Sequence, residues 1–407
     1  MVARTAEADV GENAGWLQGV LLALIPCMVV SSVCVALPVI PAMLHAFAKT
    51  PNIGFLVPMS VVLPTLTIAL SSLAAGALGD RIGRRRLLDY STLLFAVTAI
   101  LPFWLTSFTW ILVSRAAAGV ALGGMTVSGV GLTGDYFQGP ARQRWLAIQG
   151  AAGAAAGVVV STISGASGEI SWRLPFLLLA AGFALFVGLL VFRGPAVVAS
   201  RPATEETTAQ PVSAPVPWAT LGFIFALGVL ASLIIWPPVY AFGVLLEEKR
   251  IGSVMLTGLM TSVLATVAVA GAMSLGLLRR VPPPGKQALA IAFAGVGIVL
   301  IWTTGTLAPI MVGAFAIGIG QGMTAPILAD WLLEETPVPL RGRVIGLYQT
   351  TFFLAQFVGP LFGHWVADIS GGTTISMLYY AVACALLAAP TAAVLLRRRA
   401  PEPWPAT

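Results

Sequence analysis

Residues 76–88 read Gly76-Ala77-Leu78-Gly79-Asp80-Arg81-Ile82-Gly83-Arg84-Arg85-Arg86-Leu87-Leu88. One acid and four arginines fall between the apolar runs 53–78 and 87–107. A helix needs roughly 20 apolar residues to cross the hydrocarbon core, so this charged stretch joins two crossings. The same arithmetic finds ten further runs, at 17–43, 109–134, 145–167, 173–192, 218–245, 252–278, 287–304, 308–332, 344–367 and 372–396. Helices are the only reading, because a barrel strand needs only about 10 alternating residues. Composition agrees: of 407 residues, 58% are apolar and 9% charged, against roughly 25% charged in a soluble domain. Disorder, a collagen-like repeat and an ordinary soluble enzyme are excluded. The chain's 43 Gly and 28 Pro are tolerable in lipid, where small residues let helices pack closely. The first residues carry Glu7, Asp9 and Glu12 and no basic start, and the run that follows is too long for a signal peptide's core. It reads as a retained first span.

The arginines of this stretch also set an orientation. With both termini in the cytoplasm, seventeen of the 22 Lys and Arg fall on inner segments and four on outer loops, leaving Arg115 within a span. That asymmetry is a strong positive-inside signal. The net charge of +6 therefore reflects topology and anionic inner-leaflet lipid, and gives no case for nucleic-acid binding.

Outward from there the chain divides in two. The longest polar interruption, 193–217, is rich in Pro, Thr and Ala and reads as a cytoplasmic linker between bundles at 1–192 and 218–407. An offset of 199 residues relates Pro140-Ala141-Arg142-Gln143-Arg144 to Pro339-Leu340-Arg341-Gly342-Arg343. It also relates Asp135 to Glu334 and Pro38 to Pro237. Three matches in one register argue for duplicated six-span halves, a recurring plan for secondary transporters with a midplane site.

The stretch 76–88 resembles, at every specified position, the signature loop of the major facilitator superfamily, G-x-L-[AG]-D-[RK]-x-G-[RK]-[RK]-x-x-L. Leu112-Val113-Ser114-Arg115, followed by Gly119, resembles that family's fourth-span motif. Ser171-Trp172-Arg173 with Pro175-Phe176 resembles the start of its sixth span, and Arg341-Gly342-Arg343 the start of its eleventh. The resemblance implies an all-α membrane fold of twelve transmembrane helices in two pseudo-symmetric six-helix bundles. The whole-chain pattern is similar to the drug and metabolite efflux branch. The fifth span departs from that branch: where its proton antiporters carry a G-P pair and then G-G, this chain has Val158-Val159-Val160-Ser161-Thr162-Ile163-Ser164.

The motif implies a cytoplasmic gate built from Gly76, Asp80, Arg81, Gly83, Arg84, Asp135, Arg142, Arg341 and Arg343. The glycines permit a tight turn. Asp80 faces the helix N-terminus near Arg343, a contact worth about 0.3–2 kcal/mol. Arg84 or Arg81 pairs with Asp135. Contacts of that size suit a latch that cargo reverses. The loop at the corresponding place in the second half, Leu278 to Gly285, keeps the charge and loses the motif.

Candidates for substrate binding or coupling are Arg115, Gln149, Trp236, Tyr240, Gln321, Tyr348, Gln349, Gln356 and His364. An intramembrane arginine costs roughly 2.5–3.5 kcal/mol on insertion scales and marks a functional site by default. The bland reading makes it a structural residue bonded to carbonyls. Each polar or aromatic candidate is equally an interhelical hydrogen bond or an interfacial anchor. No carboxylate sits mid-membrane: Asp80, Asp89, Asp135, Asp330, Glu334 and Glu335 lie at inner ends, and Glu169, Glu247, Glu248 and Asp368 at outer ends. A site for permanently cationic compounds is therefore disfavoured. His45 and His364 read first as interface residues, although a histidine such as His364 is a residue type able to carry a coupling proton.

Other chemistry finds no foothold. Gly129-Val130-Gly131-Leu132-Thr133-Gly134 fits G-x-G-x-x-G but lies inside a span with no preceding strand. There is no phosphate-binding G-x-x-x-x-G-K-[ST], and Cys27, Cys34 and Cys384 lack metal-ligand spacing and pack as small hydrophobes. The expectation is a monomeric, multi-pass transporter of a bacterial-type inner membrane, with no enzyme activity, metal or cofactor, surrounded by membrane lipid. It moves a small organic compound by alternating access, as proton-coupled efflux. The alternative is uptake or exchange of an organic anion.

Overall fold

The computed structural model describes residues 15–192, 218–278, 280–337 and 340–399. The side chains of Leu73, Arg341, Arg343, Ile345, Gln349, Pro390 and 392–399 are not described, and the expected linker at 193–217 lies outside the described residues. The described residues form helices joined by short turns, with no strand among them. Eleven helices among the described residues are long and apolar enough to cross a membrane, and the last, Thr373–Arg399, has a shorter apolar stretch at Thr373–Ala389.

In chain order the spans are Trp16–Cys34 continuing as Ile40–Ala46, then Ile53–Ile82, Arg84–Ile100, Phe108–Tyr136 and Gly139–Gly168. Span 6 opens as a 3₁₀ turn, Leu174–Ala180, and continues as Ala181–Val191. Span 7 is Trp218–Tyr240, followed by a short helix, Phe242–Glu248. Spans 8 to 11 are Val254–Ser274, Pro283–Thr303, Leu307–Glu335 and Arg341–Ser370. The described residues up to 192, with Val254–Leu259, form one compact unit; those from 218 to 253, with Met260 onward, form the other. Within the first unit Gly165 and Gly258 pack backbone to backbone, and the Glu169 carboxylate accepts the Met255 N–H at 2.9 Å.

Three details differ from the sequence expectation. The first and seventh runs are not continuous helices: the first breaks over Val35 to Val39, at Pro38, and the seventh at Ala241, after Pro237 and Pro238. Proline lacks an N–H and crowds the carbonyl four residues earlier, so a helix yields there. In both spans a seven-residue helix follows the break. Third, the loop after span 2 turns on one glycine: Gly83 has φ +92°, while Gly76 and Gly79 sit inside the helix Ile53–Ile82.

The offset of 199 reappears as packing. Gly119 and Gly123 of span 4 lie against Pro64, Thr67, Ile68 and Ser71 of span 2. Gly318 and Gly322 of span 10, the same positions plus 199, lie against Leu264, Val267 and Ala268 of span 8. A side chain at Gly119 or Gly322 would overlap backbone of the facing helix. Two glycines one turn apart let helix backbones approach closely, which in lipid is a main source of attraction.

Candidate functional site

The end of the first unit where spans 2 and 3 meet is built around the Gly83 turn. Span 3 begins at Arg84, directly after the turn, and this directs Arg84 at the end of span 4. One of its terminal nitrogens, Nη1, donates to both Asp135 oxygens, at 2.9 and 3.1 Å. Of the two arginines named for this pairing, Arg84 makes it. The pair is solvent-accessible, 44% and 28% exposed, so its worth is about 0–1 kcal/mol. Gly131, one turn before Asp135, leaves the room that the Arg84 stem fills: a Cβ there would meet Arg84 Cδ at 2.8 Å. Gly129 and Gly134 likewise face Ile25 and Arg142. The G-x-G-x-x-G glycines are thus packing surfaces, two of them for arginines. Arg85 lies 3.3 Å from Asp89 and donates to the Leu189 carbonyl near the end of span 6. Asp80, Arg81 and Arg142 are exposed, and Asp80 pairs with none of the described residues.

Toward the opposite end of the same unit, in span 4, Arg115 is 1% exposed. Its Nη2 donates to the Ser32 carbonyl and, at 2.9 Å, to Ser32 Oγ. Ser32 lies in the last turn of Trp16–Cys34, where carbonyls have no intrahelical donor. The Ser164 hydroxyl closes the adjoining Val35 carbonyl at 2.6 Å. Span 4 and span 5 therefore satisfy the broken end of span 1, and the cation sits at the negative pole of that helix. Phe176 covers the guanidinium at 5.7 Å, so the two stretches resembling fourth- and sixth-span motifs meet here. Arg115 Nε and Nη1 remain without a partner among the described residues. Gln149, buried, donates to Thr133 Oγ1 at 2.9 Å and joins spans 4 and 5.

In the second unit Trp236 and Tyr240 stack one turn apart, 5.8 Å between rings, just before the break in span 7. Tyr348 packs on Phe225 and Phe352 and donates to the Ala325 carbonyl at 3.2 Å. Gln321 has a buried oxygen without a described partner. Gln356 is half-buried, and His364 Nε2 lies 3.5 Å from Asp368. The side chains of Gln349, Arg341 and Arg343 lie outside the described residues. The structure thus brings together Arg84 with Asp135 and Trp236 with Tyr240. Two groups that sequence reasoning missed lie near that aromatic pair: Ser232 Oγ, one turn before Trp236, and Tyr380 OH, beside Gly363, which itself faces Pro237. Both are buried hydroxyls without a described partner. Serine and tyrosine in apolar runs give no warning of this, because such residues usually find a backbone acceptor.

Solved structures share the fold. A bacterial homologue of the human lysosomal transporter Spinster, in an inward-facing, occupied conformation, aligns over 95% of this chain and 98% of its own, with TM-score 0.76 and 15% identity. A D-xylose–proton symporter aligns over 92% and 97%, with TM-score 0.74 and 14% identity. Sequence relatives match shorter stretches. The uncharacterized MFS-type transporter EfpA of Mycobacterium tuberculosis is 32% identical over 113 residues, 28% of this chain and 21% of that protein. The inner membrane transport protein YnfM of Escherichia coli is 32% identical over 96 residues, 24% of this chain and 22% of that protein. The matched stretches span about a fifth of each relative's length. The Major Facilitator Superfamily matches residues 20–307 and 285–407, nearly the whole of the chain. With the apolar spans, doubled glycine packing and the Gly83 turn already in place, the chain belongs to the major facilitator superfamily.

Proposed function

We propose that this transporter moves a small organic compound across the inner membrane by alternating access, as proton-coupled efflux. The observation that carries the reading is the Arg84–Asp135 pair at the Gly83 turn. It is a weak, accessible ion pair at the end of one unit that also carries Asp80, an exposed acid with no ion-pair partner among the described residues. Such a contact is easily broken, and loss of the Asp135 charge would release Arg84, which would tie gate opening to proton uptake. The direction follows the drug and metabolite efflux branch, to which the whole-chain pattern is similar. The likeness to an inner membrane transport protein supports the location.

A second reading, uptake or exchange of an organic anion, is favoured by Arg115. Its guanidinium keeps two unfilled nitrogens, and no Asp or Glu among the described residues lies mid-span to neutralise it. One experiment separates the readings. Compounds that raise the melting temperature of the purified protein are added to vesicles containing it. Proton-coupled efflux predicts a pH change on addition and loss of accumulation when the pH gradient collapses. Anion exchange predicts that only anionic compounds stabilise, and that their movement survives gradient collapse.

A further inference from the structure

The outer end of the second unit holds adjacent residues of opposite charge on the ends of two different helices. Glu248 Oε1 accepts the Thr373 N–H at 2.9 Å, while Oε2 accepts the N–H and the hydroxyl of Thr374, each at 2.9 Å. These are the first amides of span 12, the positive pole of that helix. Gly371 and Gly372, at φ +84° and +150°, form the turn that precedes them. The neighbouring Lys249 donates from Nζ to the Thr304 carbonyl at 2.6 Å. Thr304 closes span 9, so this cation lies at a negative pole. Each charge therefore sits where the helix dipole favours it.

Both residues belong to the short segment that continues span 7. The helix Phe242–Glu248 is anchored by Phe242, Leu245 and Leu246, all fully buried, and Arg250 closes it with a left-handed φ of +58°. The Ile251 N–H then bonds back to the Leu246 carbonyl at 3.1 Å. On the other side of Ala241 the helix is weak. Pro237 and Pro238 have no N–H, so the carbonyls of Leu233 and Ile234 lose their usual intrahelical donors. A helix missing two bonds beside a break is where bending concentrates. The aromatic pair Trp236 and Tyr240 lies on the inner side of that joint.

We propose that Glu248 and Lys249 are positioning residues for transport: a two-residue strap that ties the outer segment of span 7 to the ends of spans 9 and 12. Bending during the cycle is thereby confined to the joint at Ala241, and the helix bearing Trp236 and Tyr240 moves against a fixed outer piece. The claim is independent of the cargo, the direction and the coupling proposed above.

Spin labels test it in a variant with Cys27, Cys34 and Cys384 replaced. One pair, at Arg250→Cys and Ile375→Cys, spans the strap; another, at Leu230→Cys and Arg250→Cys, spans the joint. With the strap intact, the first distance distribution is narrow and the second broad. Exchanging the charges, Glu248→Lys with Lys249→Glu, puts each at the wrong pole and should at least double the width of the first distribution while narrowing the second. Glu248→Gln, which keeps an acceptor oxygen and loses the charge, should move both in the same direction by less, and it serves if the exchanged protein does not fold. A role in folding alone would lower the melting temperature and leave both widths unchanged. A strap distance that stays narrow in both variants overturns the proposal.

Discussion

Arg115 shows how a single residue earns its place in the membrane. Ser32, in the last turn of the first helix, offers a carbonyl with no donor of its own, and Arg115 supplies one from span 4. Phe176 shields the guanidinium, and Ser164 completes the break from span 5. A prediction follows from the sign of this arrangement. If the cation supports the break, Arg115→Ala leaves a buried acceptor unmatched and destabilises the protein by about 1–3 kcal/mol. Thermal unfolding in detergent should register that as a lower melting temperature, with Arg115→Lys recovering part of the loss. If the cation served cargo alone, its removal would relieve a buried charge, and the melting temperature would hold or rise. The residue was legible in sequence as a charge inside a span. Its partner was not, because Ser32 becomes an acceptor only once span 1 has broken, and the break is a tertiary outcome.

Among the elements, the glycines carry the duplication. Gly119 and Gly322 face backbone across spans 2 and 8, whereas a side chain at Gly76 meets nothing within 4 Å. Gly119→Leu and Gly322→Leu should each lower the melting temperature and the yield of folded protein. Gly76→Ala should lower neither, since it fills open space and improves helix propensity by up to about 1 kcal/mol, so the melting temperature should hold or rise. Equal stability in all three variants would mean that these close approaches contribute nothing. The twelve runs were readable because length and apolarity define a span. The breaks at Pro38 and at Ala241, after Pro237 and Pro238, were harder, since prolines are tolerated in membrane helices and their number does not say which of them interrupts one. The same holds for Gly129, Gly131 and Gly134: spacing suggested a nucleotide motif, context excluded it, and only packing reveals that two of these glycines make room for arginines.

The molecule as a whole joins two units, each with a broken first span followed by a seven-residue helix. That plan, like the family, could be read from residues 76–88 and the 199-residue offset. The cargo site could not, because the candidate side chains are the same polar and aromatic types that hold membrane helices together, and several of them do so: Gln149 to Thr133, Tyr348 to Ala325. What remains central is the latch proposed at the Gly83 turn, in which Asp80 is expected to hold the helix that begins near Arg343. Its most direct test is the distance between spin labels at Arg144→Cys and Glu334→Cys, with the native cysteines replaced, compared in the presence and absence of Asp80→Asn. The latch predicts that Asp80→Asn shifts the distribution toward longer inner-end distances. Superimposable distributions in the two proteins would contradict it.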